Sequence, residues 1–190
     1  MKKKLVLVTA HFPYGTSETF LEAEIPILAQ HFEHIEIFTF PIKGQKRPIP
    51  VNCSVTDIKI VESRFKAYFG VFSLLFWKEI FIIKRIYKKK ISIGILKTML
   101  ISLMRAEKIS SFINLNLQNK LDCIYYSYWC DDNALALSLF NEDKQYTTLS
   151  RAHRWDIYFE ENTYNYLPYR HFINEKLSKI YFISDDGYEY

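Results

Sequence analysis

The chain has 190 residues, 49% apolar and 17% aromatic, so it can bury one substantial core and lies near the upper end of single-domain size. Only five glycines and six prolines argue against a disordered or loop-rich protein. The three cysteines, Cys53, Cys123 and Cys130, lack the spacing of a zinc site or a redox pair. We therefore expect reduced cysteines in a cytoplasmic protein without metal or cofactor. The net charge is only +4, and we expect no nucleic-acid partner.

The N-terminal stretch MKKKLVLVTAHF begins like a signal peptide, because lysines precede an apolar run. That run is only about six residues long and no small-residue cleavage site follows it, so the stretch is better interpreted as a first strand at 5–9. Its continuous apolar character is typical of a central parallel strand that is covered on both faces.

A helix is expected after Gly15, with Thr16 or Ser17 as its N-cap and Glu18 in its first turn. Apolar residues recur at helical spacing through this segment, at Leu21, Ile25, Leu28 and Phe32. Pro26 does not suit a helix interior, where it costs about 3 kcal/mol, and it predicts a kink.

The rest of the chain alternates between strands and helices. Apolar runs predict strands at 34–40, 55–61, 123–127, 146–149 and 179–184. Helical spacing predicts helices at 91–103, 108–117 and 169–177, and a helix capped by Asp131 or Asp132 that reaches residue 140. This order predicts an α/β fold, a Rossmann-like doubly wound parallel sheet with right-handed crossovers.

Polar residues cluster in two loops that follow predicted strands. FPYGTSETF occupies 12–20, after the first strand, and SRAHRWD occupies 150–156, after the strand at 146–149. The carboxyl ends of parallel strands share one edge of a sheet, where open α/β proteins bind ligands. The sequence therefore predicts a cleft between these loops. Its candidate substrate-binding residues are Gly15, Thr16, Ser17, Glu18, Arg151, Arg154 and Gly187.

The chemistry expected in this cleft is the binding of anions. Backbone N–H groups of residues 14–17, next to a helix N-terminus, can hold a phosphate. Arg151 or Arg154 can donate charge-assisted hydrogen bonds to a phosphate or to an anionic acceptor. A single Gly15 without the G-x-G-x-x-G pattern argues against a standard dinucleotide site.

Two segments, FPYGTSETFLEAEIPIL and SRAHRWDIYFEENTYNYLPYRHFINEKLSKIYFISDDGYEY, resemble the N-terminal domain of bacterial family 4 polysaccharide glycosyltransferases, which have the GT-B fold. The similarity covers both ends of the chain and hardly touches residues 41–120. It implies the acceptor-side half of a two-domain retaining transferase, which moves a sugar from a nucleotide-sugar to a saccharide or lipid-linked acceptor. The missing C-terminal half would hold most of the donor and the family's paired glutamates, E-x7-E, a spacing that this chain lacks.

By this resemblance His153 is the catalytic residue, beside the donor sugar near the reacting centre, where it can hydrogen-bond a hydroxyl. Each candidate also has a structural interpretation. A histidine at a strand end can simply satisfy local hydrogen bonds, and Glu18 can be no more than a charge at a helix N-terminus. Arg151 and Arg154 can be solvated surface residues. Asp156 is expected to orient Arg154 or to cap a turn rather than to act as a base.

The last predicted strand runs into a turn at 185–187 with no helix left to cover it. We therefore interpret residues 1–190 as a single N-terminal domain of a longer protein, inactive by itself and without its C-terminal donor domain. The rival interpretation is a non-catalytic Rossmann-like binding or regulatory module. That module predicts a cleft without convergent polar groups.

Positive charge is concentrated at 64–108, within a predicted basic helical insertion at 64–118. This stretch contains eleven Lys and Arg against two acidic residues, so it carries +9 and the rest of the chain −5. Its apolar run stops at Lys78 after about eleven residues, too few to span a bilayer. Aromatic and basic residues together predict peripheral attachment to an anionic membrane at the inner leaflet. They are Phe69, Phe72, Phe76, Trp77, Phe81, Lys84, Arg85, Lys88, Lys89 and Lys90. The alternative is that the aromatics are core and the lysines a solvated face.

Overall fold

Six parallel strands form one sheet in the order β3-β2-β1-β4-β5-β6 in the computed structural model, which describes residues 3–60, 67–117 and 120–190. The strands are β1 (Lys4–Val8), β2 (Ile35–Thr39), β3 (Cys53–Asp57), β4 (Cys123–Ser127), β5 (Thr147–Ala152) and β6 (Lys179–Phe182). The order places β1 beside β4, although β2 and β3 come between them in the chain. This is the strand order of a Rossmann-like sheet, and the crevice between β1 and β4 is its topological switch point.

Helices cover both faces of this sheet. They are α1 (Phe20–His31), α2 (Leu74–Arg85), α3 (Ile93–Asn116), α4 (Asp132–Phe140), α5 (Arg154–Ile157), α6 (Arg170–Lys176) and α7 (Asp185–Glu189). Shorter 3-10 turns occur at Tyr68–Phe72, Lys120–Asp122, Phe159–Glu161 and Thr163–Asn165.

Strand β1 shows how the two faces are filled. Leu5 and Leu7 belong to one core cluster together with residues of α1, whereas Val6 and Val8 belong to a larger cluster with residues of α3 and α4. Alternate residues of a strand point to opposite faces, so both sets must be apolar. Coverage of both faces explains why β1 is a continuous apolar run. The predicted doubly wound α/β sheet is confirmed.

Helix α1 begins later than predicted. Its N-cap is Thr19, without a side-chain capping hydrogen bond, so the prediction that Thr16 or Ser17 caps the helix is wrong. Glu18 precedes the helix instead of lying in its first turn. The helix continues through Pro26, which is exposed, so that water can solvate the carbonyl group left without an N–H partner.

Helix α3 is one helix of 24 residues, so the prediction of separate helices at 91–103 and 108–117 is wrong. Residues 104–107 separated the two predicted helices. In the folded chain Leu103, Ala106 and Ile109 continue one buried stripe, and Glu107 lies on the exposed side. A charged residue on the outer face of an amphipathic helix does not end it.

Strand β5 runs three residues further than predicted, so Ser150 and Arg151 belong to the strand and not to the loop after it. Pairing with β6 explains the extension, because Arg151 lies opposite Tyr181 in register. A short helix, α7, follows β6 where none was expected. Strand β3 starts and ends before the predicted 55–61, and residue 61 lies outside the described part of the chain.

The predicted insertion contains α2 and α3, whereas Arg64, Lys66 and residues 118–119 lie outside the described residues. Helix α3 is not a peripheral addition, because its buried residues share the larger core cluster with Val6 and Val8. Among the helices of the described residues, none has the combined length and apolar content that crossing a bilayer requires.

Helix α2 buries a carboxyl group. Glu79 is 1% exposed, and its Oε1 accepts hydrogen bonds from the Tyr166 hydroxyl at 2.7 Å and from the Tyr169 backbone N–H at 3.1 Å. Burial raises the pKa of Glu79 above its ordinary value of 4.5, although both hydrogen bonds and the nearby His171 lower it. The carboxyl group ties α2 to the segment before α6.

This raised pKa makes a prediction about stability. The unfolded chain releases the Glu79 proton at lower pH than the folded chain, so the free energy of unfolding should fall as pH rises above about 4.5. Glu79→Gln keeps an acceptor oxygen and cannot ionise, so it should gain stability relative to wild type between pH 5 and pH 8. Urea unfolding of both proteins across this range measures the difference. The exposed Glu175→Gln is the control, and parallel pH profiles for wild type and Glu79→Gln would contradict the prediction.

Candidate functional site

The Glu18 carboxylate closes the loop after β1. Oε1 accepts from the Ala10 N–H at 2.9 Å, and Oε2 accepts from the N–H groups of His11 and Phe12, both at 2.7 Å. A fourth donor, Trp129 Nε1, reaches Oε1 at 2.8 Å from the loop after β4. Glu18 is 7% exposed and has a positive φ of 54°, which turns its side chain back over the loop. All four donors come from the protein, so Glu18 joins the β1 loop to the β4 loop.

The other candidates in the β1 loop have a different environment. Gly15 has a φ of +64°, and a Cβ atom there would lie 2.8 Å from Ile42 Cδ1. Gly15 and Thr16 line an open cavity together with residues 42–48. The Ser17 carbonyl accepts from Arg47 Nη2 at 2.5 Å. These residues therefore face the loop after β2, which the sequence analysis did not include in the cleft.

His153 follows β5 and packs on the β4 loop. Its ring centroid lies 4.3 Å from that of Trp129 and 5.3 Å from that of Tyr128. Its Nδ1 is shielded from solvent, lies 3.5 Å from Asp156 Oδ2 and makes no hydrogen bond within the described residues. Glu18 and His153 are therefore brought together by one intervening side chain, Trp129.

Asp156 is the second buried carboxylate of this edge. Its Oδ2 accepts from the Cys130 N–H at 3.1 Å and from the His153 N–H at 3.2 Å. It thus caps α5 and fixes the β4 loop, rather than orienting Arg154 as one interpretation expected. Asp156 therefore accepts from backbone N–H groups at the loop after β5, as Glu18 does at the loop after β1.

The two candidate arginines form ion pairs. Arg151 donates two parallel hydrogen bonds to Glu24, at 2.7 and 2.8 Å, and its guanidinium lies over the Tyr128 ring. Arg154 is 72% exposed and binds Glu161 Oε1. The bidentate pair of Arg151 connects β5 to α1, which is a structural role. Arg154 lines an open cavity of about 370 Å³ with Ile183 and other residues.

Gly187 lies in the first turn of α7, where its N–H donates to Ser184 Oγ at 3.2 Å. A Cβ atom at this position would lie 2.8 Å from Ile157 Cδ1, so a larger residue would have to displace the end of the Ile157 side chain in α5. Gly187, His153 and Glu18 all follow carboxyl ends of parallel strands and so lie on one edge of the sheet.

A crevice of about 360 Å³ opens at the topological switch point itself. Its polar lining comes from His11 after β1, Arg105 on α3, and Asp131, Asp132 and Asn133 after β4. Its apolar lining is Ala10, Phe40, Ile60 and Ile109. A mostly apolar wall with a few convergent polar groups is typical of a small-molecule site.

The hydrogen bonds of the crevice define its chemistry. His11 Nδ1 lies 2.9 Å from the Phe40 carbonyl, which can only accept, so Nδ1 carries the hydrogen and Nε2 of the neutral ring keeps its lone pair. Asp132 accepts from the Ser102 hydroxyl, and its Oδ2 lies 3.5 Å from Arg105 Nη1. The crevice thus offers an imidazole ring, a cation and carboxyl groups.

Asp131 caps α4, because its side chain accepts from the Asn133 N–H at 2.8 Å. Desolvation of the carboxyl group raises the pKa of Asp131 above its ordinary value of 3.8, and the neighbouring carboxylates Asp132 and Asp156 raise it further, although the residue as a whole is exposed.

The crevice was not predicted as a site. Asp131 or Asp132 was expected only as a helix cap, which Asp131 is, and no role was predicted for His11. A usable signal was present, because three residues separate residues 131–133 from the end of β4, which was predicted correctly. Arg105 gave no signal, since its position depends on the path of α3 across the sheet.

Comparison with protein-family models finds no match to this chain, and a search of curated proteins finds no match either.

The geometry around Glu18 predicts a large stability effect. In Glu18→Gln, an amide NH₂ group replaces one carboxylate oxygen. That group faces the two N–H donors that bound the oxygen, so both hydrogen bonds are lost and the NH₂ group opposes the two N–H groups. We expect a loss of about 2–4 kcal/mol in the free energy of unfolding, measured by urea denaturation. The control is Glu22→Gln, which removes an exposed ion pair with Arg47 and should cost less than about 1 kcal/mol. Equal losses in the two variants would contradict the role given to Glu18.

Proposed function

We propose that this chain is the N-terminal, acceptor-side domain of a bacterial retaining glycosyltransferase of the GT-B type. The full-length enzyme would move a sugar from a nucleotide-sugar to a saccharide or lipid-linked acceptor in cell-surface polysaccharide synthesis. The observation that carries the proposal is the crevice between β1 and β4, where His11, Arg105 and Asp131 converge at the switch point of a Rossmann-like sheet. The resemblance of the β1 and β5 loops to family 4 enzymes points the same way.

The chemistry of the crevice supports a hydroxyl-bearing ligand. A sugar acceptor must be held by several hydrogen bonds, and its attacking hydroxyl must lose a proton. His11 Nε2 can accept from a hydroxyl, and the carboxylates can accept from others. Arg105 can counter negative charge on an acceptor phosphate or on the departing diphosphate. Under this proposal the chain would supply acceptor binding, and a C-terminal domain would supply most of the donor site.

The proposed role of His153 is to hydrogen-bond a hydroxyl of the donor sugar. Its ring rests on Trp129, and its backbone is held by Asp156, so its position is fixed before a ligand binds. A fixed position favours catalysis, because no reorganisation is needed when the substrate arrives.

The convergent polar groups of the crevice count against the rival interpretation of a non-catalytic binding or regulatory module, which predicts a cleft without them. We propose a cytoplasmic location, since nucleotide-sugars are made in the cytoplasm. With a lipid-linked acceptor, the enzyme would work at the inner leaflet as a peripheral protein.

In the full-length protein, His153→Ala should lower kcat/KM for sugar transfer by about 10²-fold, equivalent to about 2.7 kcal/mol of transition-state stabilisation. His153→Phe keeps a ring on Trp129 but removes the ring nitrogens, so it should lose as much activity and still fold. The control is His31→Ala at the exposed end of α1. Wild-type kcat/KM in His153→Phe would exclude a catalytic role for His153.

The 190-residue chain should transfer no sugar by itself, because under this proposal the donor site and the E-x7-E glutamates would belong to a separate C-terminal domain. Incubating the purified chain with radiolabelled nucleotide-sugars and a mixed lipid and saccharide acceptor pool, and counting the labelled product, measures this directly. Any product above a no-protein control would show that the division of donor and acceptor sites is wrong.

A further inference from the structure

Helix α2 exposes a strip of large apolar and basic side chains to solvent. One side of the helix, with Phe76, Glu79 and Ile83, is buried against the domain. The opposite side is exposed and forms what we call the outer stripe, which consists of Leu74, Trp77, Lys78, Phe81, Lys84 and Arg85. At 100° per residue these six positions fall within about one third of the helix circumference. The outer stripe is therefore a single continuous strip of side chains.

Large apolar side chains dominate the outer stripe. Leu74 is 70% exposed, and Trp77 and Phe81 are each 58% exposed. The preceding turn, Tyr68–Phe72, extends the strip, because Phe72 is 83% exposed and Trp77 Nε1 donates to the Val71 carbonyl at 2.8 Å. Of the five aromatics expected either to be core or to meet a membrane, only Phe76 is buried. Clustered exposed aromatics of this size mark an interaction surface.

The charges within the strip have one sign. Lys78, Lys84 and Arg85 lie within it, and Lys88 and Lys90 follow the helix as exposed residues. Glu79 is the only acidic residue in the sequence from 67 to 106, and it points into the core. No carboxylate from that stretch balances the five exposed cations. Glu142 and Glu175 from other segments line a cavity together with Lys78 and Phe81. The surface is therefore complementary to an anionic partner mainly through Lys84, Arg85, Lys88 and Lys90.

We propose that the outer stripe and the Tyr68–Phe72 turn dock the protein on an anionic lipid surface. Interfacial helices bind membranes through bulky apolar residues that enter the headgroup region and basic residues that meet anionic lipids, and both are present here. A second copy of the chain fits less well, because pairing the same stripe would place lysines against lysines. The inference stands on α2 alone and does not depend on sugar transfer.

Vesicle co-sedimentation tests the proposal. The wild-type chain should bind vesicles of phosphatidylglycerol and phosphatidylcholine, bind phosphatidylcholine alone weakly, and dissociate as NaCl is raised. Changing Lys78, Lys84, Arg85, Lys88 and Lys90 to Gln should lower the partition coefficient about 100-fold or more. The matched control changes five exposed lysines elsewhere, Lys43, Lys46, Lys59, Lys144 and Lys179, and should bind at least ten times more tightly than the first variant.

Tryptophan fluorescence tests the orientation. Lipids brominated in their acyl chains should quench Trp77, so quenching should persist in Trp155→Phe and be largely lost in Trp77→Phe, which keeps an apolar ring. The proposal is wrong if the wild type does not bind anionic vesicles, if the two charge variants bind equally, or if Trp77→Phe leaves quenching unchanged. It is also wrong if the stripe instead forms a dimer in sedimentation velocity, or binds heparin but not vesicles.

Discussion

The carboxyl edge of the sheet depends on one buried carboxylate, that of Glu18. Three successive backbone N–H groups and an indole N–H converge on its two oxygens. Only an ionised carboxylate offers enough lone pairs to accept from four donors, and hydrogen bonds to a charged acceptor are stronger than neutral ones. The loop after β1 needs this acceptor because its N–H groups at 10–12 point inward, where water cannot satisfy them. Glu18 therefore sets the course of the chain between β1 and α1, and that course in turn fixes where His11 lies.

A second carboxylate, Asp156, repeats this arrangement at β5, and both act on the loop after β4. Trp129 of that loop donates to Glu18, and Cys130 donates to Asp156. The loop is thus held from both sides immediately before Asp131, which caps α4 and lines the crevice. Rigid support of this kind lets a site meet its ligand without first ordering its own backbone. The crevice and His153 share this loop, so they can work as parts of one site.

The elements of the fold were predictable, whereas the partners of the polar side chains were not. β1, β2 and β4 were predicted from their apolar residues, because the hydrophobic pattern of a strand indicates which of its residues are buried. The roles of Glu18 and Arg151 depend on residues far away in the sequence, Trp129 and Glu24, which no local pattern reveals. Local reasoning interpreted Glu18 as a ligand group or a helix charge, because an acidic residue before a helix has those uses most often. The break predicted in α3 was wrong because Leu103 and Ala106 are buried on its inner side, so the helix continues past the exposed Glu107.

Helix α2 reverses the usual division between the inside and the outside of a protein. It buries Glu79, which costs free energy that two hydrogen bonds only partly offset, and it exposes Trp77 and Phe81, which gain nothing from water. Folding stability alone favours the opposite placement, with an apolar residue at 79 and polar residues at 77 and 81. The burial of Glu79 has a local explanation, because its carboxyl group accepts hydrogen bonds from the Tyr166 hydroxyl and the Tyr169 N–H inside the domain. Within the described residues the outer faces of Trp77 and Phe81 are not covered by the domain. The lipid surface proposed above would supply their free-energy gain by removing them from water.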